Sequence, residues 1–128
     1  MNNTEARPPF PPFSQNDAII KARKATDAWN NQNPEAIAMP YTAHSTWRYR
    51  TNFPKGRQHI VEFLKTKWLK EQQYRLIKEV WCVNGDRIAV RFVYEWHDSN
   101  GQWYRFYSNE NWQFDNIGLM AYRHASIN

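Results

Sequence analysis

Alternating apolar and polar positions dominate the second half of the chain and predict a run of β-strands. The alternation covers Tyr74–Val83, Arg87–Asp98, Gln102–Phe114 and Leu119–Ile127, and Ser99-Asn100-Gly101 supplies a turn between the middle two. Side chains that alternate with period two lie on opposite faces of a sheet, and an Asn-Gly pair favours a tight hairpin turn. These segments therefore predict an antiparallel meander.

The first half of the chain has helical spacing instead. The predicted elements, in order, are a helix over 14–30 with Ser14 as its N-cap, a short helix over 33–40, a strand over 45–51 and a helix over 57–72. Three helices followed by a meander predict an α+β fold, in which a curved antiparallel sheet wraps against the three N-terminal helices. Such a cystatin-like roll encloses a cone-shaped interior with an internal pocket.

The chain divides into two parts by composition. Residues 1–13 contain the segment Arg7-Pro8-Pro9-Phe10-Pro11-Pro12-Phe13, which favours an extended backbone and is not helical. We expect this Pro-rich arm to dock on the domain or on a second subunit. Residues 14–128 are predicted to form a single domain, which suits the length of 128 residues.

The charge distribution argues against a nucleic-acid partner. The formal net charge is +5, and residues 1–80 hold 13 Lys and Arg against 7 Asp and Glu. Residues 81–128 hold 4 against 5, so the aromatic strands carry almost no net charge. RNA-binding sheets need basic and aromatic side chains on one surface, and here the two are separated.

Cysteine content and hydropathy predict a cytoplasmic location for the protein. The single Cys82 cannot form an internal disulfide bond, which favours a reducing compartment, and its apolar neighbours predict a buried thiol. No apolar run approaches the ~20 residues that a membrane helix needs, and no signal peptide opens the chain.

The predicted hairpin has an unusual face. A two-residue or four-residue loop pairs residues whose numbers sum to about 201 or 199, and both registers place Arg91, Glu95 and Glu110 on one face. The two-residue loop puts Arg91 opposite Glu110. Charges among large aromatic rings need a partner or a ligand, because an unpaired buried charge is costly.

Three segments carry a resemblance to a known superfamily. They are Asn33-Pro34-Glu35-Ala36-Ile37 before a Tyr41-led strand, Gly56-Arg57 at the start of the third helix, and Phe114-Asp115-x-x-Gly118 before the last strand. On these segments the domain resembles the nuclear transport factor 2-like, or SnoaL-like, superfamily. The arm and three further motifs resemble a bacterial branch of it described as a domain of unknown function. Those motifs are Tyr94-Glu95-Trp96-His97-Asp98, Asn109-Glu110-Asn111-Trp112 and His124-Ala125-Ser126-Ile127-Asn128.

The resemblance implies a fold without fixing a reaction, since this fold hosts isomerases, dehydratases, cyclases, hydrolases and binding modules. The similar ketosteroid isomerases use an Asp base with a Tyr and a protonated Asp at the oxyanion site. Gapless counting puts Ala25 at the Tyr position, Tyr49 at the base position and Glu110 at the oxyanion acid. Only one role keeps its chemistry, which argues against that mechanism. The comparison does imply that the face with Glu110 points into the cone.

Two interpretations of the polar face remain open. In the first, Glu110 and Glu95 are acid–base groups and Arg91 tunes them or holds a ligand oxygen. In the second, the three form a structural ion network. The candidate ligand-binding residues are Trp47, Tyr49, Trp112 and Arg123.

Neither a metal nor a cofactor is expected, because the four histidines lack a paired ligand spacing and no Gly-rich phosphate loop is present. The sequence thus predicts a homodimeric protein whose pocket binds a small, partly apolar organic molecule. Its function is either a cofactor-independent lyase, isomerase or hydrolase, or a non-catalytic ligand-binding or interaction module. The resemblance implies that the dimer forms through the outer face of the sheet.

Overall fold

The computed structural model describes residues 5–127, and within that range three helices cover one face of a five-stranded sheet. The helices are α1 (Gln15–Asn31), α2 (Pro34–Ala38) and α3 (Gly56–Lys70). The strands are β1 (Tyr41–Tyr49), β2 (Gln72–Asn84), β3 (Arg87–His97), β4 (Trp103–Phe114) and β5 (Met120–Ile127).

Local capping explains where the helices begin. The backbone N–H of Asp17 donates to Ser14 Oγ at 3.0 Å, and the Asp17 carboxylate accepts from the Ser14 backbone N–H at 3.1 Å. This capping box satisfies two amides at the start of α1. The Asn33 side chain caps α2 in a similar way, with Pro34 in the first turn, where its missing N–H does no harm.

The sheet is open, and its strand order is β1-β5-β4-β3-β2. Strands β2, β3, β4 and β5 form the predicted antiparallel meander, whereas β1 lies parallel to β5 at one edge. The α+β prediction of a curved sheet against three helices is therefore confirmed, apart from this one parallel pairing.

The register of the β3–β4 hairpin differs from both predicted registers. The loop holds three residues, Ser99 to Gly101, between Asp98 and Gln102, and the backbone N–H of Asp98 donates to the Gln102 carbonyl at 3.0 Å. Gly101 takes a left-handed φ of 81°. A three-residue loop of this kind ends in a left-handed residue. Its odd length pairs residues whose numbers sum to 200, such as Val90 with Glu110.

The Pro-rich arm docks on its own domain. The Arg7 backbone N–H donates to the Ile117 carbonyl at 2.9 Å, and Lys21 Nζ donates to the carbonyls of Arg7 and Gly118 at 2.6 and 2.8 Å. A Cβ on Gly118 would collide with the Arg7 carbonyl, so glycine is required there. The Phe13 side chain is buried, and its ring packs edge-on against another aromatic ring of the core. The arm therefore covers the end of the sheet where β5 begins.

None of the helices within residues 5–127 has the length and apolar character needed to cross a membrane. Cys82, predicted to be buried, is exposed. The β2–β3 register shifts next to it, between Val80 and Cys82, and this bulge changes which side chains face the interior.

Candidate functional site

The inner face of the sheet carries a buried cluster of three charged side chains, Lys78, Glu110 and Arg123, which we call the inner triad. Lys78 Nζ lies 2.6 Å from Glu110 Oε1, and Arg123 Nη2 forms an ion pair with Glu110 Oε2. Trp112 Nε1 also donates to Glu110 Oε1, at 3.0 Å. The three charged side chains are only 1%, 0% and 2% exposed, respectively. Three strands, β2, β4 and β5, therefore bring one carboxylate and two cations together away from solvent.

Burial and mutual attraction oppose each other in the inner triad. Burial alone would raise the pKa of Glu110, but the charges of Arg123 and Lys78 outweigh it and hold that pKa below its ordinary value. Burial, reinforced by Arg123, lowers the pKa of Lys78 to about 8 despite the adjacent Glu110 carboxylate. Near neutral pH, Glu110 is thus ionised, and Lys78 is the member of the triad that releases a proton most readily.

Aromatic rings form the walls around the triad. The Arg123 guanidinium lies 4.5 Å from the Trp47 ring centroid and 4.8 Å from that of Trp29. Lys78 Nζ lies 4.3 Å from the Phe92 centroid and 5.5 Å from that of Trp112. These faces attract cations electrostatically, which partly replaces the lost hydration.

Two buried donors, one on Arg123 of the triad and one on its neighbour Trp47, have no acceptor among the described residues. Within residues 5–127, neither Trp47 Nε1 nor Arg123 Nη1 has a hydrogen-bond partner, although Trp47 is fully buried. The two residues are register partners on β1 and β5. Buried donors are nearly always paired, so these two stand out as polar atoms whose hydrogen bonding is incomplete.

A second polar cluster lies nearer the hairpin end of the interior. Lys67 Nζ donates to both Glu71 carboxylate oxygens, at 2.8 and 3.0 Å, and to the Tyr49 hydroxyl at 3.2 Å. The Tyr49 and Tyr94 hydroxyls are 2.9 Å apart. The pKa of Tyr94 is raised, mainly because the group is buried and secondly because of the neighbouring Tyr49. Lys67 also lies about 5 Å from three tyrosine rings, those of Tyr49, Tyr74 and Tyr94.

The prediction that Arg91 and Glu95 share a face with Glu110 is wrong. In the observed register Arg91 lies opposite Asn109 and Glu95 opposite Arg105, all on the outer face. Arg91 pairs with Glu79 at 2.7 Å, and both side chains are more than half exposed. Because the loop has three residues, the side chains predicted to face inward do so on β4, whereas on β3 the residues predicted to face inward lie on the outer face. The proposed site of Arg91, Glu95 and Glu110 is therefore not assembled.

The other five candidate residues lie in the interior, where the structure brings Trp47, Tyr49, Glu110, Trp112 and Arg123 into two adjacent clusters. Their functional roles remain predictions.

Sequence reasoning missed both buried lysines. Lys78 lies two residues after Leu76 and four after Tyr74, so it faces the same inward side of β2 as they do. The available signal was therefore a lysine at a position where the strand pattern calls for an apolar residue. For Lys67 the available signal was its i, i+4 spacing to Glu71 on α3, which indicates a local ion pair.

The described residues, 5 to 127, hold no group of three or more His, Cys, Asp or Glu side chains that could bind a metal ion. A groove of about 930 Å³ does cross the outer face of β2, β3 and β4, with Arg91, Glu95, Arg105 and Tyr107 in its lining. Its charged side chains remain hydrated, which weakens their electrostatic effect. The inner triad is therefore the better candidate site.

Comparison with known proteins identifies the fold. The family model described as "Protein of unknown function (DUF1348)" matches residues 11–128. A search of curated proteins finds no match.

Three solved structures illustrate the likeness. SalBIII, an epoxide hydrolase/cyclase-like enzyme in salinomycin pyran ring formation, is 12% identical with a TM-score of 0.78, over 90% of this chain and 93% of that chain. A Catenulispora acidiphila protein with a ketosteroid isomerase-like fold, bound to trimethylamine, is 15% identical with a TM-score of 0.74, over 84% and 83%. TerC, co-crystallised with polyporic acid, is 18% identical with a TM-score of 0.75, over 87% and 92%. At these identities the likeness shows the fold alone, and it confirms the predicted nuclear transport factor 2-like fold.

Proposed function

The chain belongs to the DUF1348 family, and we propose that its interior is the site of a cofactor-independent lyase, isomerase or hydrolase that acts on a small, partly apolar organic molecule. One observation carries the proposal: a carboxylate, a lysine and an arginine are buried together among aromatic rings. Taking charges out of water is expensive, and the arrangement strengthens their effect on any molecule bound beside them.

Each member of the inner triad suits a separate task. Lys78, whose pKa is lowered to about 8, can donate or accept a proton near physiological pH. Glu110 stays ionised and holds Lys78 in position at 2.6 Å. Arg123 keeps its charge at all working pH values, so it stabilises negative charge that develops on a substrate oxygen. Proton transfer at carbon can use Lys78 as the proton carrier and Arg123 at the developing oxyanion. Opening of an epoxide can use Lys78 to protonate the oxygen released from the broken C–O bond, while a water molecule or another group of the substrate attacks the carbon.

The structural neighbours support a small-molecule interior. SalBIII is described as epoxide hydrolase/cyclase-like, and TerC was crystallised with an organic acid. Both share only the fold with this chain, so the support is for a small-molecule interior of this general kind.

A non-catalytic role has its own supporting observation. The triad side chains are at most 2% exposed and pair with one another, as in a structural ion network. In that case the interior would contribute specificity of folding or bind a ligand without turnover. Any ligand, whether or not it is turned over, can reach these side chains only when the helices or the hairpin end open.

A matched pair of proteins separates the two. The variant Lys78→Met/Glu110→Leu/Arg123→Met replaces the triad with apolar side chains, a change that is often neutral or stabilising for buried ion networks. Both proteins are screened by thermal shift against small ketones, epoxides and lactones with aromatic bodies, and hits are followed for turnover by mass spectrometry. We expect ligands that stabilise and are converted by the wild type only. A folded triple variant that binds or converts the same ligands equally well would exclude the triad as the site.

We further propose that the chain forms a homodimer through the outer face of its sheet. That face exposes Ile77, Trp81, Tyr107 and Tyr122 along with the groove. Sedimentation equilibrium of Ile77→Glu/Tyr107→Glu tests this, with Leu69→Glu on the helical side as the matched control. A monomer is expected only from the sheet variant, and a wild-type monomer would contradict the proposal.

A cytoplasmic location completes the proposal, because the single Cys82 is exposed as a free thiol. Cell fractionation with a maleimide label on Cys82 tests it, and recovery of the protein outside the cytoplasm would contradict it.

A further inference from the structure

The interior holds more positive than negative charge. Among the residues that the structure describes, the inner triad and the second cluster place Lys67, Lys78 and Arg123 in the interior together with two carboxylates, those of Glu71 and Glu110. Glu71 and Lys67 balance each other at 2.8 Å, which leaves the triad with two cations and a single carboxylate. An unbalanced buried charge is unfavourable unless something of opposite sign joins it.

The unsatisfied donors lie next to this excess charge. Arg123 Nη1 and Trp47 Nε1 both lack an acceptor within the described residues, and the guanidinium lies 4.5 Å from the Trp47 ring centroid. Ser45 and Ser108 also have buried hydroxyls without partners in that range. An oxygen that carries negative charge would complete the hydrogen bonding and reduce the charge imbalance together.

The end of the interior opposite the arm is also cationic. Arg50 lies 5.3 Å from the Phe106 ring centroid, and Lys70 lies 5.6 Å from that of Trp96, and both rings belong to the inner face of the hairpin. Cations at this end of the molecule raise the local concentration of anions beside it.

We propose that the ligand of this interior is a small organic anion, namely a carboxylate, enolate or phenolate on an aromatic body, whose charged oxygen accepts hydrogen bonds from Arg123 Nη1 and Trp47 Nε1. The aromatic body packs against the rings of Trp29, Trp47 and Phe92. This inference rests on the proposed small-molecule site and adds the charge class of the molecule.

The test compares acids with their uncharged counterparts on the wild-type protein. Benzoate, 2-naphthoate and anthracene-9-carboxylate are each titrated beside the matching primary amide by isothermal calorimetry. The acid and the amide have nearly the same shape, so the ratio of their dissociation constants reports charge. We expect at least one acid to bind tenfold or more tightly than its amide.

A variant locates the binding. Trp47→Phe keeps an aromatic wall and removes one donor, and we expect it to weaken the acid about tenfold, as for a hydrogen bond to a charged group. Trp103→Phe changes a half-exposed ring on the outer face and is expected to leave binding unchanged. The acid–amide comparison does not depend on whether a variant folds.

The outcomes separate the two proposals. Equal or tighter binding of the amides would refute the anion class and leave the small-molecule site standing. If no acid, amide or neutral screening compound binds, both proposals fail. Acid binding that is lost in Trp103→Phe and kept in folded Trp47→Phe would place the anion on the outer face and overturn the inference.

Discussion

The two faces of the sheet hold ion pairs of nearly equal length in opposite surroundings. On the inner face Lys78 and Glu110 are 2.6 Å apart and almost wholly buried, whereas on the outer face Arg91 and Glu79 are 2.7 Å apart and more than half exposed. The attraction between charges depends on the surrounding dielectric as well as on distance. Distance alone therefore does not rank these pairs. Only the inner pair has a strong field and a large desolvation penalty, the features expected of a reactive site.

The largest predicted difference comes from removing one carboxylate charge on each face. Glu110→Gln leaves Lys78 and Arg123 buried without a counter-charge, and we expect the free energy of unfolding to fall by about 3–5 kcal/mol. Glu79→Gln breaks the outer pair and should change it by less than about 1 kcal/mol. Urea denaturation measures both, provided that the slopes of the transitions agree. Losses of similar size would show that the inner triad is solvated in solution.

The pH dependence of stability gives a second, smaller contrast. Burial lowers the pKa of Lys78, which faces Glu110, Arg123 and Lys67, to about 8, and that of Lys21 to about 8 as well. An unfolded chain holds these protons up to about pH 10.5, so it binds more protons than the folded state between pH 8 and 10.5. Stability must then rise with pH across this window, by ~2 kcal/mol between pH 8 and 10 for Lys78.

Above about pH 10 the trend is opposed by tyrosines. Burial raises the pKa of Tyr41 and Tyr74, so the folded state keeps protons that the unfolded chain loses. Chemical denaturation from pH 7 to 10 is the measurement, with Lys78→Met and Lys21→Met each expected to remove part of the rise. A flat profile in the wild type would contradict the lowered pKa values. The outer-face arginines stay charged throughout.

Removing a hydroxyl should produce a smaller effect. Tyr49→Phe eliminates the contact to Tyr94 at 2.9 Å and the acceptor for Lys67 at 3.2 Å. We expect a loss of about 1–2 kcal/mol, because the partners stay buried without a replacement. Tyr107→Phe on the outer face is the matched control, expected within about 0.5 kcal/mol. Both variants are measured by thermal and urea unfolding. If Tyr49→Phe and Tyr107→Phe lose the same free energy of unfolding, water replaces the Tyr49 hydroxyl.

The same contrast shows what the sequence could and could not specify. The capping box of Ser14 and Asp17 and the parity of β4 depend on neighbours in the chain, and both were predictable. Which alternate residues of β3 face inward depends on the length of the loop. A left-handed Gly101 is compatible with a two-residue loop or a three-residue loop, so the sequence alone does not decide between them. One residue of register separates an assembled site from an outer-face pair.

Buried charges were hard to predict for a related reason. Lys78 is stabilised inside by Glu110, which lies 32 residues further along the chain. Lys67 has a local partner in Glu71, but its tyrosine cage comes from β1, β2 and β3. Sequence patterns place lysine at the surface unless a partner is known, and here most of the partners are distant.

The smallest expected energy is that of the outer ion pair between Arg91 and Glu79, because Arg91 is attracted both to a carboxylate and to an aromatic ring. Arg91 pairs with Glu79 and also lies 4.1 Å from the Trp81 ring centroid. A double-mutant cycle with Glu79→Gln and Arg91→Gln isolates the ion pair from the ring contact. In the Ile77→Glu/Tyr107→Glu background, where the proposed dimer is broken, we expect a coupling of about 0.2–1 kcal/mol that shrinks as salt is added. A coupling in that background that exceeds this range and resists salt would mean that the outer face is desolvated within a single chain.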